Sequence, residues 1–118
     1  MNRSERLETE QNLWLATLRP DNRPHLVPIW FAWVNERLYI CTGRQSVKAR
    51  NLVQNEWATI ALQDGGQPVV AECRARLLAP PYPPAVVEAF LRKYEWNITQ
   101  DRDYEALFEL EPARWVMG

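Results

Sequence analysis

The chain reads as a mainly β protein: a split β-barrel of five to seven antiparallel strands in a Greek-key-like order, with short peripheral helices. Three observations predict this. Short apolar or alternating runs follow one another with turn residues between them, at Pro20-Asp21-Asn22, Asn35-Glu36 and Asp64-Gly65-Gly66. Helical periodicity is confined to short stretches, the clearest at residues 46–54 and 85–94. One run, His25 to Val34, is apolar on both faces and so needs cover on both. A length of 118 residues suits a single domain spanning 1–118 with a real core.

Taken in order, Ser4 to Gln11 is polar apart from Leu7 and suits a short surface helix capped by Ser4. Asn12 to Arg19 is compact, apolar and free of Gly and Pro, the pattern of a buried strand. In the His25–Val34 strand, Leu26, Pro28, Trp30 and Ala32 point one way and Val27, Ile29, Phe31 and Trp33 the other. Pro28 removes a backbone donor, which predicts a bulge or an unpaired edge. Such an edge offers free carbonyls to a flat heterocycle. Arg37 to Thr42 is the returning strand of a hairpin.

Ser46 to Gln54 is a short helix burying Ala49, Leu52 and Val53 and stopping at Asn55. Glu56–Gln63 and Pro68–Leu78 are two more strands, the second turning Val69, Ala71, Cys73, Ala75 and Leu77 inward. A proline-rich connector leads to a helix over Ala85–Tyr94, with Val86, Val87, Phe90, Leu91 and Tyr94 on one face. A polar loop runs to Arg102, and Tyr104–Gly118 holds one or two strands interrupted by Pro112.

A net charge of −1 provides no global field toward nucleic acid or an anionic membrane, so any anion site must be local. No apolar leader or membrane-length run is present, and the cytoplasm is the expected location. One histidine and two widely spaced cysteines are poor raw material for a metal site or a hydrolytic triad. His25, next to Pro24, reads as a strand-start residue. Glu72, Glu88, Glu95, Asp101 and Glu105 show no pairing suited to acid–base chemistry and read as surface. Cys41 is either a thiol activated near a helix N-terminus or a small buried hydrophobe. Of the tryptophans, Trp30, Trp33, Trp57, Trp96 and Trp115 can serve core, interface or ring stacking.

The strongest local signal is the helix start at Ser46, with Arg44, Lys48 and Arg50 around it. A helix N-terminus already carries partial positive charge, so cations there want an anion opposite, and phosphate is the usual one. The glycine pattern of a Walker motif is missing.

The segment ATLRPDNRPHLVPIWFAWVNERLYICTGRQSVKARNLVQNEWATIAL resembles the flavin-binding split-barrel family that includes pyridoxamine 5′-phosphate oxidase and the deazaflavin (F420)-dependent reductases. The resemblance runs from about Trp14 to Leu78 and rests on the first hairpin, the PIWF strand and a Thr-loop-Ser-x-Lys-Ala segment. It implies an FMN-dependent oxidoreductase, a homodimer with cofactor at the subunit interface, and a small-molecule substrate. It places Val27, Pro28, Ile29 and Trp30 against the isoalloxazine, Cys41 and Thr42 beside the ribityl-phosphate tail, and Ser46 and Lys48 on the phosphate. It identifies no catalytic side chain. Val47 stands where pyridoxamine 5′-phosphate oxidases carry an arginine, Leu26 and Phe31 stand where they carry basic residues, and Cys73 replaces a glycine. No arginine-rich C-terminal segment is present, so oxidation of vitamin B6 itself is not expected. The shorter relatives with a PVWF-like strand and a K-x-R-N-L helix are more similar. They include F420- and haem-binding proteins, which makes F420 the alternative cofactor and a non-enzymatic flavin or haem carrier the alternative role.

Overall fold

The run Leu13–Leu18 alternates buried and outward residues along its length and forms the first strand, β1. The computed structural model describes Met1 to Gly118. After β1 come β2 (Pro24–Ile29), β3 (Ala32–Val34), β4 (Arg37–Thr42), β5 (Trp57–Leu62), β6 (Val70–Leu78) and β7 (Ala106–Met117). Every pairing is antiparallel, and the seven strands make one sheet in the order β2-β1-β5-β6-β7-β4-β3.

The two edge strands of that sheet, β2 and β3, are consecutive in the chain, with only Trp30 and Phe31 between them. A sheet whose edges are joined by two residues has curled until the edges meet. The result is a split barrel with a seam at Trp30–Phe31.

The continuous strand expected over His25–Val34 is therefore broken. At the seam the Phe31 N–H donates to the Tyr94 hydroxyl (3.1 Å), and the Phe31 carbonyl accepts from Lys93 Nζ (3.0 Å). The Tyr94 hydroxyl in turn donates to the carbonyl of Gln11 (2.7 Å). Side chains from a distant helix thus replace the ladder bonds that a continuous strand would have made. The proline argument does hold: Pro28 lies on an edge strand, opposite Trp14 in β1.

The barrel interior is a single apolar cluster that includes Leu13, Leu15, Phe31, Ile40, Ile60 and Phe108. A second cluster joins Tyr39, Cys41 and Leu107 on the outside of β4 and β7 to Val86 and Phe90 of a helix. That helix is α3 (Pro84–Tyr94), preceded by α1 (Arg3–Thr9) and α2 (Val47–Gln54). Asn2, not Ser4, caps α1, its Oδ1 accepting from the Glu5 N–H at 2.9 Å, and Leu7 anchors that helix in the core. On α3 the buried positions are Val86, Ala89 and Phe90, whereas Leu91 is half exposed.

Two further expectations change. Tyr104–Gly118 contains one long strand, because Pro112 sits where the β6–β7 register shifts and no ladder bond is asked of it. Leu77 is exposed: past Arg74, β6 has left β5 and pairs with β7 alone, so the inward phase does not extend that far.

On α2, Val53 is exposed and Asn51 takes the buried position, its Nδ2 donating to Thr17 Oγ1 of β1 at 3.0 Å. This buried side-chain bond ties α2 to the barrel wall. Asn51→Ala is expected to cost about 1–2 kcal/mol, net of a helix-propensity gain of roughly 0.5 kcal/mol. A denaturant titration with an unchanged midpoint would refute the tie.

Candidate functional site

The largest cavity, about 600 Å³, opens beside the seam. Its wall is the end of β2 and the first seam residue: Pro28, Ile29 and Trp30. Lys48 contributes the cavity's one cationic side chain, and Cys41 is also part of the lining. Volume and lining fall in the range of small-molecule sites, roughly 300–1,000 Å³ with a few polar groups on apolar walls.

The anion corner is built locally. Ser46 N-caps α2, its Oγ accepting from the Ala49 N–H at 3.2 Å and lying 3.0 Å from the hydroxyl of Thr42. Thr42, the last residue of β4, is fully buried. Lys48 follows in the first turn of α2, has no carboxylate within ion-pair distance, and is held below the ordinary lysine pKa by burial alone. A half-buried cation without a partner is costly unless a ligand supplies the counter-charge.

Arg44 and Arg50 do not join it. They line a separate depression with Val53 and Leu77, and the Arg44 N–H donates to Glu105 Oε1 (2.7 Å). Residues 48 and 50 are two apart on a helix, so they face different ways.

Of the residues assigned to the cofactor, the structure brings Pro28, Ile29, Trp30, Cys41 and Lys48 together around the cavity. Thr42 and Ser46 form a hydroxyl pair at the start of α2 but are not among the residues that line the cavity. Val27 points inward on β2 and is not part of the lining.

The thiol of Cys41 is not activated. Burial, with a smaller contribution from Asp101, pushes its pKa up to about 12, so the hydrophobe reading applies. Cys73 is buried and pushed up to about 12 in the same way.

The rest of the lining is Asn12, Tyr94, Glu95, Trp96, Asp101 and Tyr104, of which only Trp96 is among the residues the sequence offered for ring stacking. Trp30 stacks on Tyr94 (centroids 4.3 Å apart, planes at 7°) and meets Trp96 edge-on at 6.0 Å. Trp96 meets Tyr104 edge-on at 5.9 Å. Asp101 pins this wall, accepting from the Tyr104 and Asp103 N–H groups and from the Trp96 indole N–H (2.9 Å). Those bonds, the Tyr104 N–H first, hold its carboxyl below the usual range. The surface reading of Asp101 is thus corrected, since it borders the cavity and is engaged by these bonds, whereas Glu95 also borders the cavity but is exposed as expected. The available signal was two large aromatics, Trp96 and Tyr104, in an otherwise polar stretch.

Fold and site together define a small split barrel with a ligand cavity at its seam and an unpaired cation in that cavity. A family model described as pyridoxamine 5′-phosphate oxidase matches residues 3–117, and the chain belongs to that family. No curated protein matches the chain. Among solved structures it is similar to HutZ, a haem storage protein from Vibrio cholerae (TM-score 0.80, 20% identity, covering 98% of this chain and 93% of that one). It is also similar to an F420 reductase (TM-score 0.71, 24% identity, 98% and 96% covered). An FAD-binding protein from Mesorhizobium loti has the same fold (TM-score 0.73, 16% identity, 95% and 86% covered). At these identities the likeness is one of fold.

Proposed function

We propose that the protein is an FMN-binding oxidoreductase acting on a small organic substrate. The observation that carries this reading is the unpaired Lys48 cation beside the Ser46–Thr42 hydroxyls, on the same cavity as the apolar β2 edge. The residues fit the group: Lys48 and the Ser46 corner would hold the phosphate, and the Pro28–Trp30 segment would flank the ring. When bound, FMN supplies hydride transfer at its ring. The chain's own residues bind, orient and exclude water, which agrees with a Cys41 thiol held protonated and an Asp101 carboxylate engaged in structural hydrogen bonds.

The working form we propose is a homodimer. Trp14, Leu18, Leu26 and Trp57 are exposed on the outer face of β2, β1 and β5, where their register places them side by side. This apolar face continues into Pro28 at the cavity mouth, so a second copy covering it would also close the cofactor site.

F420 would use the same anion corner and is the second reading, favoured by the anion site being independent of the ring. Haem has less support, because the cavity lining contains no histidine and the Cys41 thiol is held protonated.

The test is the absorption spectrum of the purified protein and of protein titrated with FMN, with sedimentation of the loaded form. A flavin spectrum that stays with a dimer is the expected result. A Soret band, or no retention of FMN, would overturn the reading.

A further inference from the structure

Only two buried side-chain nitrogen or oxygen atoms in the chain make no hydrogen bond: Arg6 Nη2 and His25 Nδ1. Arg6 is otherwise well satisfied, its Nε on Glu10 (2.7 Å) and its Nη1 on the carbonyl of Gln67 (2.6 Å). The His25 nitrogen is the unexplained one, since a buried polar atom without a partner is costly and uncommon.

Its surroundings indicate what the partner is. His25 lies opposite Thr17 in the β1–β2 ladder, and Thr17 is bonded to Asn51 of α2. Asn51 is three residues on from Lys48, hence on the same side of the helix. The charges that act on the imidazole are those of Arg19, just past the end of β1 and bonded through Nη1 to the Pro24 carbonyl (3.0 Å), and of Lys48 from α2, and both are cations. Neither has a carboxylate within ion-pair distance, and Asp21, the carboxylate of the β1–β2 turn, is engaged by Arg23 at 2.7 Å. The charges acting on His25 thus include no acid.

We propose that His25 is a proton-linked anion ligand of this corner, taking up a proton and donating from Nδ1 when a phosphate group binds beside Lys48. The inference deepens the flavin reading and rests on it. Burial first and then the Arg19 and Lys48 charges hold His25 below its ordinary pKa, so it is neutral near pH 7. A phosphate dianion reverses the sign of the local field and raises that pKa. The bound pKa then lies above the free one. Affinity gains nothing from His25 above the bound pKa, rises as pH falls between the two, and levels off below the free pKa, by at most about tenfold per pH unit. A fixed-charge residue would give the same corner no such dependence.

The test is calorimetry of FMN binding to the full chain in buffers of different ionisation enthalpy, from pH 5.5 to 8.5, with riboflavin as the phosphate-free control. Wild type is expected to take up protons on binding FMN and none on binding riboflavin. His25→Gln should lose that uptake and bind roughly tenfold more weakly at pH 6, with a smaller deficit at pH 8. His25→Asn, which keeps a neutral donor near the Nδ1 position, should recover affinity without the uptake. The phosphate's own ionisation near pH 6 is common to all three proteins and cancels in the comparison. Equal uptake in wild type and either variant, or none in wild type, would overturn the role of His25 while leaving FMN binding in place. Failure of wild type to bind FMN would overturn the flavin reading and this inference with it.

Discussion

Lys48→Ala is expected to weaken FMN binding roughly ten- to a hundredfold while leaving riboflavin binding unchanged. A hydrogen bond to a charged group is worth about 1.5–3 kcal/mol, and each 1.4 kcal/mol is a factor of ten. Lys48 is the only cation on the cavity, so no neighbour in the lining can substitute for it. The riboflavin comparison makes the result specific, since damage to the ring pocket would weaken both ligands. The empty variant should be no less stable than wild type, and is expected to gain slightly, because the change removes a half-buried cation that lacks a partner. Equal loss of both ligands, or full FMN affinity in the variant, would remove Lys48 from the phosphate role. Lys48→Arg should recover only part of the loss, since a planar fork does not reproduce a point charge on a flexible stem.

The anion corner could be read from the sequence because its causes are local. Ser46 caps the helix it precedes, and Lys48 lies in that helix's first turn; neither fact needs the rest of the fold. Arg44 and Arg50 were grouped with Lys48 by proximity in sequence, although helical spacing already separates positions 48 and 50. The strands β1, β4 and β5 followed from pattern and turn chemistry, and Pro28 correctly marked an edge.

What pattern could not show is ring closure. Periodicity describes which way side chains point along a strand, not where a sheet's two edges meet, so His25–Val34 reads as one strand until the sheet order is known. The satisfaction of Phe31 by Lys93 and Tyr94 is a contact across more than sixty residues, and no local rule reports it. The aromatic wall of Trp96 and Tyr104 is hidden for the same reason. Its elements lie in a polar segment and acquire a shared surface only when Asp101 pins them beside Trp30.

The seam can be separated from ordinary core packing by a second substitution. Phe31→Ala is expected to destabilise the protein by about 3–5 kcal/mol, the usual cost of emptying a fully buried phenylalanine site. The loss has more than one source here. The Phe31 ring lies 3.8 Å beneath Lys93 Nζ, and burial has already brought that ammonium down to a pKa of about 8. Removing the ring takes away the face the cation rests on and loosens the backbone that Lys93 and Tyr94 hold. Trp30, the adjacent residue and the one stacked on Tyr94, then loses its fixed position on the cavity wall. Phe108→Ala removes an equally buried ring from the same core, but away from the seam, and is expected to cost a similar amount. If the seam positions the site, the two variants should have comparable urea midpoints, with only Phe31→Ala losing FMN affinity under conditions where both remain folded. Wild-type affinity in a destabilised Phe31→Ala would mean that the cavity is held by β2 alone and that the clasp from α3 serves stability only.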